Sequence, residues 1–283
     1  MNIDQNTKLI ARFHTEDNGT GLNIYNPYFE AIGLNVVYVL FKNRRPEPLV
    51  DGMRKLQIAG AITAGFEHDP TILKLVDERS EAVELSERMG IIANRDGKLY
   101  AHYQGGEGLL SAILEKTDIT NKRIVIVGAG TIAKTLVLAI EQSLNQPASI
   151  TIVNRTPEHA QPIADRFKSV QKILPITELS QAVGDILVNA ARIGSSAEDT
   201  YFTEDIVSNF KTVADVTFGD INTNLITLAQ AQEAIIISGW DMFTHQAAVV
   251  LREVLDHDAD IPKLRQFVIN GLTTSNHGAI SKR

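Results

Sequence analysis

After about residue 120, short runs of Ile and Val without polar alternation recur, separated by stretches with helical period. Arg123–Val127 reads as an apolar strand, Thr131–Leu144 as a helix, Ser149–Val153 as a strand and His159–Lys168 as a helix. Lys172–Ile176, Asp185–Asn189, Thr212–Val216 and Ala234–Ser238 follow as strands, with a helix over Asn224–Gln232. Strands of this type are covered on both faces, so the pattern predicts an α/β domain with a doubly wound parallel sheet. Before residue 120 the pattern is mixed: strands at Val36–Phe41, Gly60–Thr63 and Lys98–His102, and helices at Asn26–Ile32, Pro48–Leu56 and Thr71–Arg88. The polar stretch Asp118–Lys122 marks the expected boundary, giving a first domain over 1–117 and a second over 118–239. Asp241–His257 and Pro262–Asn270 read as two closing helices, and the polar tail TTSNHGAISKR is expected to be loose.

Length supports the division, since 283 residues exceed one ordinary domain. Composition is that of a folded globular chain, with 44% hydrophobic and 22% charged residues. Cysteine is absent, which removes disulfides, thiolate nucleophiles and zinc–sulfur sites, and the seven histidines form no HExxH pair, so no metal is expected. The opening MNIDQNTKLIARFHTEDNGTG lacks a signal-peptide core and no apolar run reaches membrane-spanning length, so a cytoplasmic protein is expected, monomer or homodimer. A net charge of −7 argues against nucleic acid or a membrane surface as partner. Within it, Lys122 to Lys172 carries seven Lys/Arg against three Asp/Glu. That basic segment suggests a local anionic ligand and a small-molecule substrate.

The strand RIVIV runs straight into Gly128-Ala129-Gly130-Thr131-Ile132-Ala133, which opens a helix. Glycine at 128 permits a tight turn, glycine at 130 admits a pyrophosphate to the backbone, and Ala133 allows close helix–strand packing. Any tight strand-to-helix turn could carry these letters; the good strand before, the helix after and the next βα unit favour a dinucleotide. The following strand ends in Asn154-Arg155-Thr156, where an NAD site carries an acid for the ribose 2′-hydroxyl. Arg155 with Thr156 and nearby His159 suits a 2′-phosphate instead, so the expected cofactor is NADP.

With these motifs in place the chain resembles the shikimate dehydrogenase family over nearly its whole length. GAGTIA and NRT match the family's turn and second-strand run, Asn189-Ala190-Ala191 resembles its N-A-T, and Gly239-Trp240-Asp241-Met242-Phe243-Thr244-His245-Gln246 resembles its G-x-x-M-L-x-x-Q. YNPYFEAIGLNVVYVLF and DGKLYAHYQGGEGLL are similar to the family's opening helix with second strand and to the segment leading out of the first domain. The resemblance implies an N-terminal substrate domain, an NADP-binding Rossmann domain, and C-terminal helices (240–270) returning to the first domain. It implies cofactor contacts at Ala190, Ala191, Gly239 and Met242, and substrate contacts at Thr63 and Gln246. Asn26, Tyr103 and Gln104 are further substrate candidates, with His102 at the cleft mouth.

The departures are as informative. The family's S-x-S, which holds the substrate carboxylate, falls on Gly19-Thr20-Gly21, and the tyrosine of its D-x-x-Y falls on Phe218. Its N-V-T-x-P-x-K falls on Ala61 to Glu67, so the catalytic lysine becomes Glu67; its N-T-D falls on Tyr103-Gln104-Gly105, so the partner aspartate is lost. A substrate carboxylate about 4 Å from Glu67 would cost about 4 kcal/mol at an effective dielectric of 20. Three roles stand open for Glu67: an acid or base, a contact for a cationic or multiply hydroxylated substrate, or an ordinary loop charge. The sequence therefore predicts an NADP-dependent oxidoreductase interconverting a hydroxyl and a carbonyl on a small polar substrate other than shikimate. A non-catalytic NADP-binding protein, or a true shikimate/quinate dehydrogenase using replacement residues, are the alternatives.

Overall fold

The computed structural model describes residues 3–14, 19–66, 69–191, 193, 201–218 and 223–280, the last nine as backbone alone. The chain separates into two compact units, one formed by the residues up to Gln104 together with those from Gln246 on, the other by Gly105–His245.

Unit 1 opens with β1 (Lys8–His14), α1 (Thr20–Ile32) and β2 (Val36–Lys42), followed by α2 (Pro46–Lys55) and β3 (Gly60–Ile62). Then come β4 (Glu78–Arg79), α3 (Glu81–Ser86), β5 (Ile91–Arg95) and β6 (Lys98–His102). Its six-stranded sheet runs β2-β1-β3-β5-β6-β4. β1 pairs in parallel with β2 and β3, while β3, β5 and β6 pair antiparallel. The helix expected over Thr71–Arg88 is instead a 3-10 turn at Ile72–Leu75, the strand β4 and the short α3. The sheet edge wins over helical period: Asp77 N and Ser80 N donate to Leu99 and Ala101 carbonyls, and Ser80 caps α3 by accepting from Val83 N. β1 and β5 were not expected; β1 mixes Lys8, Arg12 and His14 into its apolar run and occupies an interior position in the sheet.

Unit 2 contains α4 (Gly105–Lys116), β7 (Arg123–Val127), α5 (Thr131–Gln142), β8 (Ser149–Asn154), α6 (Gln161–Arg166) and β9 (Val170–Pro175). After these come β10 (Ile186–Asn189), α7 (Glu204–Val207), β11 (Thr212–Asp215), α8 (Asn224–Ala231) and β12 (Ile235–Ile237). All six strands are parallel, in the order β12-β11-β10-β7-β8-β9. This is the doubly wound order, reversing direction between β7 and β10. Val125, Leu187 and Val213 are completely buried in its core. Fully burying each such side chain stabilises by about 1.5–3 kcal/mol before entropy is subtracted. Gly106 explains how α4 joins this unit: a Cβ there would lie 2.1 Å from the Thr135 carbonyl carbon, so only glycine lets α4 sit against α5.

α9 (Gly239–Leu255) begins in unit 2 and runs on into unit 1, followed by α10 (Ile261–Ile280). α10 packs on α1, with Tyr28 and Phe267 rings edge to face at 5.9 Å, Lys263 Nζ donating to Ala31 O, and Gly271 against Ile24. The tail expected to be loose is therefore helical as far as Ile280. Among the described residues no helix is long and apolar enough to cross a membrane.

Candidate functional site

Parallel strands place all their carboxyl ends on one edge, and in unit 2 the turn after β7 lies there. Gly128 has φ +112°, a backbone conformation that side chains rarely adopt, and its N–H donates to Val153 O at 2.7 Å. A Cβ at Gly128 would lie 3.0 Å from Ala191 Cβ and 3.2 Å from Ala191 N, so the turn and the chain leaving β10 share one narrow space. Ala190 N donates to Val127 O, which fixes that exit. Gly130 caps α5 without a side-chain acceptor, and a Cβ placed there would meet nothing within 4 Å. The first-turn N–H groups at Thr131 and Ile132 thus have no side-chain cap competing for them, the condition under which a helix start receives an anion. Ala129 is nearly buried and Ala133 wholly so.

A cavity of about 400 Å3 opens beside this turn. Gly128 and Ala191 line one side, and Val153, Asn154, Arg155, Thr156 and His159 line the side that follows β8; Ile176, Ile193 and Tyr201 complete it. Asn154 Nδ2 donates to Thr156 O at 2.7 Å, which folds the NRT run back on itself. Arg155 and His159 are exposed at the surface. The cavity joins a glycine turn at a helix start to an arginine, a threonine hydroxyl and a histidine, a donor set that fits a dinucleotide carrying an extra phosphate. No sequence motif pointed to Ile176, Ile193 and Tyr201; they reach the cavity from connections whose course no local pattern encodes.

Gly239 and Met242 stand at the start of α9. Gly239 is buried, and a Cβ there would meet Thr217 O at 2.3 Å; Met242 is 6% exposed. Neither lines the cavity. α9 is anchored to α4 by two polar contacts: Lys116 Nζ donates to Asp241 Oδ2 at 2.7 Å, and His245 Nε2 lies 2.8 Å from Glu115 Oε2. Burial pushes the Asp241 carboxyl up, but hydrogen bonds from Lys116 and from Ser238 N and Oγ outweigh it, and the net shift is downward.

The substrate candidates other than Glu67 lie in unit 1. Thr63 is wholly buried and its hydroxyl donates to Met89 O at 3.0 Å. Asn26 is half-buried and uses both ends of its amide on β2, donating to Tyr38 O and accepting from Tyr38 N. Tyr103 packs against the unit 1 core, and His102 stacks on Tyr100. Gln104 lies against Gly90; its Oε1 is buried and has no hydrogen-bond partner among the described residues. Gln246 is half-buried on α9. Glu67 and His68 lie outside the described residues. Tyr38, against which Gly21 packs, has its phenol pushed up to about 12 by burial, with the nearby Arg12 acting in the opposite direction.

Comparison with known proteins adds three observations. The family described as shikimate / quinate 5-dehydrogenase matches residues 109–222. A shikimate dehydrogenase (NADP(+)) of Pyrococcus furiosus is 26% identical over 247 residues, covering 87% of this chain and 89% of the relative. One from Rubrobacter xylanophilus is 28% identical over 276 residues, covering 93% and 96%. A crystal structure of a shikimate dehydrogenase in complex with NADP+ superposes with a TM-score of 0.79 at 26% identity, covering 95% of this chain and 97% of that one.

Proposed function

We propose that this chain, which belongs to the shikimate/quinate dehydrogenase family, is an NADP-dependent oxidoreductase that interconverts a hydroxyl and a carbonyl on a small molecule. The observation that carries the reading is the Gly128 turn opening into a cavity that contains Arg155, Thr156 and His159. Relatives named as NADP-dependent enzymes, and the likeness to a structure holding NADP+, support the same cofactor.

In this reading unit 2 is the NADP domain and unit 1 the substrate domain. The N–H groups of Thr131 and Ile132 take the pyrophosphate, while Arg155 and Thr156 take the 2′-phosphate with His159 beside them. Gly128 and Ala191 hold the turn open, Ala129, Gly130 and Ala133 let the chain approach, and Asn154 braces the NRT run. Ala190, Gly239 and Met242 carry the site toward β10 and α9. When bound, NADP would supply the hydride acceptor for oxidation of an alcohol to a carbonyl, and a base on this chain would take the hydroxyl proton. Glu67 is our choice for that base, with Asn26, Thr63, Tyr103, Gln104 and Gln246 as substrate contacts. We also read the protein as a cytoplasmic monomer or homodimer.

We further place the substrate outside shikimate. Support comes from Glu67 and Gly105 at the family's lysine and aspartate positions, and from glycines at both ends of Gly19-Thr20-Gly21 where the family has serines. NADPH absorbance at 340 nm tests both parts, with NADP or NAD and with shikimate, quinate or uncharged polyols. Turnover of shikimate would overturn the substrate reading, and failure of the protein to bind NADP would overturn the cofactor reading.

A further inference from the structure

The carboxyl edge of the unit 2 sheet changes character along its length. Beyond β8 it carries Arg155, Thr156 and His159; beyond β11 and β12 it carries aromatic rings. Phe218 follows β11 and is 41% exposed, while Trp240 and Phe243 occupy the first turn of α9 after β12. The Phe218 centroid lies 5.6 Å from that of Trp240 and 5.1 Å from that of Phe243, both tilted. The close approach of Gly239 to Thr217 O brings the two chain ends together and so builds the cluster.

The same corner is poor in cations. From Thr212 to Leu251 the sequence contains no Lys or Arg. Lys116 reaches it from α4 but is engaged by Asp241 Oδ2 and Ile236 O, and His245 is buried against Glu115. An anion here would find no cation among these elements to offset its lost hydration. An uncharged ring would bury its apolar face on three aromatic rings.

We infer that Phe218, Trp240 and Phe243 form the surface that selects the substrate, and that they select an uncharged ring bearing hydroxyl or carbonyl groups, a cyclic polyol or its ketone. The inference rests on the dinucleotide reading, because a dinucleotide that begins at Arg155 and crosses the Gly128 turn brings its reactive end toward β11 and β12.

Trp240 is the chain's one tryptophan, so its emission reports on this corner directly. NADP binding is measured first, by calorimetry. The NADP-saturated protein is then titrated with myo-inositol and cis-1,2-cyclohexanediol as uncharged rings, and with shikimate and quinate as anions, while Trp240 emission is followed. The expected result is a saturable change with an uncharged ring, weakened about tenfold in Phe218→Ala and less in Phe218→Leu. NADP affinity should stay within about twofold in both variants, because Phe218 does not line the cavity. A saturable response to the anions alone, no response to any ring, or an unchanged affinity in Phe218→Ala each overturn the inference while leaving the dinucleotide reading intact. Loss at the calorimetry step overturns the dinucleotide reading, and the inference falls with it.

Discussion

Gly21 and Tyr38 share one space: a Cβ built on Gly21 would stand 2.5 Å from the Tyr38 hydroxyl and 2.7 Å from two carbons of its ring. Tyr38 is itself wholly buried and stacked on Tyr25, with centroids 4.8 Å apart. The glycine at this position is thus a packing requirement as well as a departure from the family pattern. Gly21→Ser should destabilise the protein by about 1–3 kcal/mol through overpacking. Pairing it with Tyr38→Leu should recover part of that loss, and urea unfolding of the four proteins of the cycle gives the coupling. Strict additivity would show that the two residues do not compete.

Arg155 discriminates between the two nicotinamide cofactors. Arg155→Ala should weaken NADP binding by about 10- to 100-fold, the loss of one charge-assisted contact, and leave NAD nearly unchanged. Calorimetry with both dinucleotides checks this; an equal loss for each would remove the 2′-phosphate role.

At Gly128 conformation and contact act together, since φ is +112° and a Cβ there would stand 3.0 Å from Ala191 Cβ, inside ordinary van der Waals contact. Gly128→Val should cost about 1–3 kcal/mol of stability and abolish dinucleotide binding. A folded variant that binds NADP normally would show that the turn does not shape the site.

For Glu67 the test is turnover of a true substrate. If it is the general base, Glu67→Gln should lower kcat by about 10²- to 10⁴-fold with NADP affinity unchanged. Unchanged turnover would leave it an ordinary loop charge.

Asp241 links stability to acid. Its carboxyl is held below the usual range, so its contribution is fully present above the unfolded value near 4 and fades as pH falls through the folded one. Asp241→Asn should therefore lower stability at pH 7 by about 1–2 kcal/mol and flatten the pH dependence below about pH 4. A parallel pH profile in both proteins would assign the acid sensitivity elsewhere.

Unit 2 was far more legible than unit 1, for physical reasons. Its strands are buried on both faces, so RIVIV and SITIV announce themselves by composition alone, and the strand-to-helix glycines are local in sequence. In unit 1 the strands are mixed in orientation. Charged residues interrupt β1, and the sheet edge overrides the helical period of Thr71–Arg88. The aromatic corner was legible only in part: Phe218 stood out as a missing tyrosine, but its partnership with Trp240 and Phe243 depends on Gly239 meeting Thr217 across more than twenty residues. The anchoring of α9 through Glu115 and His245 joins residues 130 positions apart and left no trace in any motif.

Because α10 covers α1, a segment made after unit 2 completes a unit begun before it. While residues 105–245 are being synthesised, Tyr28 and Ile24 wait for Phe267 and Gly271. All of unit 2 can emerge and fold first, since it is contiguous. Synthesis halted after residue 245 would then yield a finished unit 2 tethered to an incomplete unit 1, with the apolar side of α1 open to chaperones and proteases.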